Sequence, residues 1–198
     1  MTVRETTLPG VLVVERRVFR DDRGWFAEAW NQERYRDAGL DATFVQDNVS
    51  CSRRGVVRGL HAQNPHSQGK LVSVVHGEVF DVAVDVRWGS ETFGKWVGRS
   101  LSESNGLQMW IPPGFAHGFV ATSRHAVVSY KSTDRYAPGC EFSVRWDDPE
   151  IGVRWPVATP VLSEKDAQAP LLRDVAREQL AFPFGTDDGD PGRTGSGV

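Results

Sequence analysis

Short apolar runs separated by Gly, Pro, Asn and Asp dominate this chain, and most are too short to be helices. Strands are expected over residues 11–19, 25–30, 44–48, 56–61 and 70–75, and again over 94–101, 108–111, 118–122, 126–131 and 143–146. Residues 20–24 read as the turn between the first two. The clearest alternation runs from Val79 to Val86. Phe80, Val82, Val84 and Val86 fall on one face, and Val79, Asp81, Ala83 and Asp85 fall on the other. The apolar face is expected to pack on a core, and the other to meet solvent or a polar cavity. Turn residues recur at a spacing of about 8–12, the rhythm of a sandwich or barrel. Helices are expected at 31–38, with Asn31 as N-cap and Gly39 as stop, at 163–167 and at 171–180. The fold class is therefore all-β with a few short helices. Residues 1–184 read as a single domain without repeat or linker, and the Gly- and Asp-rich residues 185–198 as a tail.

Composition narrows the function more than the fold. A net charge of −3 argues against a general nucleic-acid binder. The chain has no apolar run long enough to cross a membrane as a helix, and its first residues lack the pattern of a signal peptide. Cys51 and Cys140 cannot build a disulfide framework, so two reduced thiols and a cytoplasmic location are expected. Seven Trp and ten Phe suit a β-rich core or a pocket that stacks a flat ligand.

Candidate chemistry gathers at a few places. In Arg58-Gly59-Leu60-His61, alternation sets Arg58 and His61 on opposite faces, but a Gly between them permits a kink. Both could then reach one pocket, with Lys70 close behind in sequence. His is the natural base near neutral pH, although a lone His is more often structural. Tyr130 and Tyr136 could deliver a proton or stack on a base, or could simply be half-buried aromatics. Pro112, Gly114 and His117 spell P-x-G-x-x-H, which resembles the second half-motif of the cupin barrel, where a turn sets the His inside the barrel mouth. Metal-binding cupins also carry an H-x-H pair, and the histidines here, at 61, 66, 76, 117 and 125, include none. No metal and no cofactor are therefore expected. Ser163-Glu164-Lys165-Asp166 is a helix-capping pattern. It could also bring Asp166 beside His61 to fix the imidazole tautomer, a role for which Asp81 is the rival.

Stretches 18–28, 44–48, 56–61, 68–72, 77–86, 110–119, 130–134 and 162–167 together resemble the dTDP-4-dehydrorhamnose 3,5-epimerase family. The resemblance implies a metal-free, cupin-type jelly roll and a homodimer that shares N-terminal strands. It implies the substrate dTDP-4-dehydro-6-deoxy-D-glucose, inverted at C3 and C5. It makes His61 the base, Asp166 its orienting partner, Tyr130 the proton donor and Lys70 the group beside the C4 carbonyl oxygen. Arg23, Glu28, Gln46, Asp47, Asn48, Arg58, His117, Glu141 and Lys165 match substrate contacts, and Tyr136 the residue stacked on thymine. Arg23 and Glu28 would come from the partner subunit.

The chemistry is demanding. A proton next to a ketone lies on the order of 12 pKa units above imidazole, or about 16 kcal/mol. A base alone cannot cover that, so an enolate stabiliser and an excluded-water site are required. Ala62 stands where the family more often has an aromatic, and is expected to reshape the pocket beside the base. The alternative is a C3-only monoepimerase of the same substrate. A metal-dependent cupin and a non-catalytic sugar-binding cupin are the other classes considered.

Overall fold

The computed structural model describes residues 1–183, so the tail at 185–198 lies outside the described residues. Thirteen strands alternate with a few short helical turns. A six-stranded sheet contains β1 (Thr2–Glu5), β2 (Leu12–Glu15), β5 (Gln46–Arg53), β7 (Lys70–His76), β10 (Leu107–Ile111) and β12 (His125–Ser132), in the order β1-β2-β10-β7-β12-β5. A five-stranded sheet contains β6 (Val57–Gln63), β8 (Glu78–Asp85), β9 (Trp96–Ser102), β11 (Phe115–Ala121) and β13 (Glu141–Ser143), in the order β13-β6-β11-β8-β9. The strand pairs within both sheets are antiparallel. A separate hairpin joins β3 (Val18–Asp21) to β4 (Gly24–Ala27).

The sheets face each other over one apolar core. Val72, Val74, Met109, Ile111, Ala126 and Val128 enter it from the larger sheet. Val79, Ala83, Val97, Leu101, Phe115 and Phe119 enter it from the smaller. Fully burying side chains of this size contributes about 1.5–3 kcal/mol each. This is the jelly-roll arrangement expected of a cupin.

Part of each outer face is covered as well, while Val49 and Val75 on the larger sheet stay exposed. α1 (Gln32–Asp37) lays Tyr35 over the larger sheet, beside Val14, Leu40 and Leu71. Tyr35 donates its hydroxyl to Gln108 Oε1 at 2.6 Å, so the buried phenol is satisfied. The helix begins where the sequence places it, with the Asn31 side chain accepting from the Arg34 amide at 3.1 Å. Over the smaller sheet lie Val144, Ile151, Leu172, Val175, Leu180 and Phe182.

This second cover is the core on which the apolar face of Val79–Val86 was expected to pack, and for the other face the structure excludes solvent. Neither face of β8 is solvated: Val82, Val84 and Val86 pack against the chain's C-terminal portion, while Val79, Asp81 and Ala83 face the interior. Two expectations change. The run 11–19 breaks after Glu15, because its second half leaves the large sheet for the hairpin. The run 171–180 is a short 3-10 turn at Leu172–Asp174 followed by the separate helix α3 (Arg177–Leu180), since its apolar residues serve the sheet rather than one helix stripe. Strand β1, polar and mostly exposed, carries no alternation that could reveal it.

One irregularity positions the site. Along β11 the residues His117 and Phe119 are two apart, yet their partners on β6, His61 and Arg58, are three apart. The extra residue makes a β-bulge, which re-aims side chains on the strand that carries it. Gly59 sits within it at φ +121, with a hypothetical Cβ only 2.5 Å from Gly118 Cα. Gly59→Ala is expected to lower stability by about 2–4 kcal/mol in denaturant unfolding, combining a backbone clash with left-handed strain. A loss below about 0.5 kcal/mol would show that the close approach is not required.

Candidate active site

A cleft of about 400 Å³ opens between the two sheets and is closed at one side by the segment around α2 (Glu164–Ala167). The bulge delivers both Arg58 and His61 to it, which strict alternation would have prevented. His61 is paired in register with His117, so the two imidazoles project from neighbouring strands toward the same space. Lys70, at the start of β7, and Tyr130, on β12, enter from the opposite sheet.

His61 is fixed by Asp166. Its Nε2 lies 2.5 Å from Asp166 Oδ1, and the carboxylate is 5% accessible. Asp166 in turn is set by the Ser163 cap, whose hydroxyl accepts from the Asp166 amide at 3.1 Å. Burial works to raise the Asp166 pKa, but the bonds from His61, Ser163 and the Gly59 amide outweigh it and hold the carboxyl below its ordinary value. An ionised Asp166 fixes the tautomer of His61 and leaves the other ring nitrogen to act.

Asp81 is therefore not the partner of His61. It lies 2.7 Å from His117 Nε2, with both side chains buried, so the site holds two separate His–Asp pairs. The Asp81 signal was visible as a charge on the inner face of β8.

Lys70 is half-buried and forms no ion pair among the described residues. Burial pushes its ammonium down to about 8, against the opposing pull of Glu141 and Asp81. Burial raises the Tyr130 phenol, with Arg58 opposing and Glu141 adding to the rise, so the hydroxyl keeps its proton at neutral pH. The ring of Tyr130 meets that of His117 edge-on at 6.4 Å.

Lys165 lines the same cleft and bonds Glu141. Tyr136 donates its hydroxyl to the same Glu141 carboxylate at 2.9 Å. For Glu141, burial favours the neutral acid, but these two bonds overcome it and hold the pKa down. Tyr136, 52% exposed, carries an open aromatic face beside the site. Its amide donates to Gln46 Oε1 at 2.9 Å, and Gln46 bonds Asn48, which ties β5 to this end of the cleft.

Three expected residues lie elsewhere in this chain. Asp47 points away from Gln46 and Asn48, because neighbours on a strand face opposite ways, and it binds Lys131 Nζ at 2.8 Å on the outer side. Arg23 pairs with Asp21 on the exposed hairpin, and Glu28 pairs with Arg34. Ala62 also departs from expectation: it packs with Phe142 in the outer cluster, so it does not line the cleft beside the base. Ser50 and Phe119 do line the cleft and were not anticipated, although Ser50 shares the alternation of Gln46 and Asn48.

The family model for dTDP-4-dehydrorhamnose 3,5-epimerase matches residues 5–174. The chain belongs to the dTDP-4-dehydrorhamnose 3,5-epimerase family. A relative of that name from Pseudomonas aeruginosa is 53% identical over 177 residues, covering 88% of this chain and 98% of the relative. The epimerase structure from Legionella pneumophila, solved in complex with dTDP-4-keto-L-rhamnose, superposes with TM-score 0.89 at 47% identity, covering 92% of this chain and 98% of that one. The chain is also similar to the structure of a 3'-monoepimerase from Streptomyces bikiniensis, with TM-score 0.82 and 34% identity, over 89% of this chain and 90% of that one.

Within this epimerase-family cleft, burial brings the charge of Lys70 into a pH range where it can be tested. Because its folded value is depressed, the burial cost is present in full below pH 8 and fades between about 8 and the ordinary 10.5, so this group makes stability rise with pH there. Side-chain NMR of labelled lysine is expected to find one ammonium titrating near 8 that vanishes in Lys70→Met. A normal value near 10.5 would contradict the cleft's desolvation of Lys70.

Proposed function

We propose that this protein is the 3,5-epimerase of dTDP-4-dehydro-6-deoxy-D-glucose, inverting the two carbons that flank the C4 ketone. It is an isomerase acting by proton transfer. The observation that carries the mechanism is the facing of His61–Asp166, on one sheet and its covering segment, by Tyr130 and Lys70 on the other. A base and an acid on opposite sides of a bound ring are what inversion needs.

His61 takes the proton from C3 or C5, and Asp166 balances the imidazolium that forms. Electrons move into the C4 carbonyl, giving an enolate. The Lys70 ammonium, with the His117 ring beside it in the cleft, stabilises the oxyanion and contributes a few kcal/mol where water is scarce. Tyr130 returns a proton to the opposite face. Arg58 and Lys165 supply positive charge for the diphosphate despite the acidic whole. Tyr136 offers a ring on which thymine stacks, with Gln46, Asn48 and Glu141 beside it.

The stereochemical alternative, inversion at C3 alone, gains no support from any feature of the cleft. Identity is 53% with a relative named for both centres and 34% with the 3'-monoepimerase.

A homodimer accounts for the residues left outside. The β3–β4 hairpin exposes Phe19 at 49%, Trp25 at 43% and Phe26 at 69%, more apolar surface than a hairpin tip needs. Packed on a second copy, it would carry Arg23 and Glu28 toward that copy's cleft. A cytoplasmic location belongs to the same reading, and no described helix is long and apolar enough to cross a membrane.

In an assay coupled to a 4-keto-sugar reductase, His61→Asn is expected to lower kcat by about 10²–10⁴. Tyr130→Phe is expected to retain exchange at one centre while losing the doubly inverted product. Full activity in His61→Asn would remove the base from the account. Activity should also survive EDTA, and its loss, restored by a divalent metal, would favour the metal-dependent class. Sedimentation equilibrium is expected to give a dimer, and an active monomer would sink the shared-hairpin reading.

A further inference from the structure

The inner face of β5 presents Gln46, Asn48, Ser50 and Ser52 in alternation. Three of the four are engaged. Gln46 bonds Asn48 and the Tyr136 amide, and the Ser52 hydroxyl accepts from Arg58 Nε at 3.0 Å. Ser50 is the exception: its Oγ is buried and has no hydrogen-bond partner among the described residues, yet the residue lines the cleft. A buried hydroxyl without a partner is unfavourable, so its retention at a ligand cleft marks a place where a ligand atom belongs.

Register locates that atom. Asn48 is paired with Tyr130, and Ser50 with Val128. Ser50 therefore stands two residues along β5 from the Tyr130 row, about 7 Å away. Two residues further lies Ser52, which anchors Arg58. On the epimerase reading, on which this inference rests, Tyr130 marks the reacting carbons and Arg58 the diphosphate on C1. The position between them faces the part of the sugar that joins these two regions. Of the groups there, the ring oxygen is a weak acceptor only. The C2 hydroxyl both donates and accepts, which matches a serine hydroxyl.

We propose that Ser50 hydrogen-bonds the C2 hydroxyl of the sugar and makes the enzyme selective against 2-deoxy substrates. Ser50 would be a contact that reads one hydroxyl and positions the ring, not one that moves a proton.

The test is a double-mutant cycle between enzyme and ligand. Wild type and Ser50→Ala are assayed with dTDP-4-dehydro-6-deoxyglucose and with its 2-deoxy counterpart. Each single change is expected to lower kcat/KM by about five- to tenfold, the range for a neutral hydrogen bond. Making both changes should cost little more than one. Fully additive losses, or equal losses in Ser50→Ala for both sugars, would overturn the assignment and place the hydroxyl against a phosphate oxygen or against nothing. The same cycle is read by calorimetric binding of the two nucleotide sugars. If the unmodified enzyme binds but does not epimerise the parent sugar, the epimerase reading fails while the binding cycle still decides the role of Ser50.

Discussion

A single extra residue in β6 organises the site. Strands alternate with a period of two, so Arg58 and His61 belong on opposite faces of a regular strand. The bulge at Gly59 puts both into one cleft, and it works only where backbone can approach backbone. Gly59 and Gly118 meet across β6 and β11 with no room for a Cβ on the former. The Gly59 amide also faces the Asp166 carboxylate, so the kink that aims His61 helps to hold its partner ionised. The placement of Arg58, His61 and Asp166, to which the proposal gives the diphosphate, the proton abstraction and its support, depends on this one approach.

Around it, carboxylates are placed so that their charges are taken up locally. Asp166 holds His61, Asp81 holds His117, and Glu141 takes both Lys165 and Tyr136. Lys70 is left without such a partner among the described residues, and burial depresses its pKa. An ammonium poised in this way interacts strongly with a negative charge that develops beside it, because little water screens the pair. On the proposed mechanism, the ion pairs orient the site and Lys70 is the cation aimed at the reacting oxygen.

Local signals in the sequence were readable where one residue type has one physical job. The Asn31 cap, the Ser163 cap and the P-x-G-x-x-H turn each lie where their chemistry requires. Most strands follow from alternation, and the order of short motifs points to the family. What stayed hidden is tertiary. Asp47 sits between two inward-facing polar residues in a matching motif, but alternation turns it outward to Lys131. Ala62 follows His61 directly and for that same reason faces away from the cleft. Whether Asp81 or Asp166 serves His61 depends on how α2 docks, across more than a hundred residues of chain. The orphaned hydroxyl of Ser50 can be seen only once its neighbours have found their partners.

The central claim is that one base and one acid, facing across this cleft, invert both carbons beside the ketone. NMR of dTDP-4-dehydro-6-deoxyglucose incubated with the enzyme in deuterated buffer tests it most directly. Deuterium at both C3 and C5, with the L-lyxo product after reductive trapping, is the expected result. Deuterium at C3 alone, or at neither carbon, would contradict it.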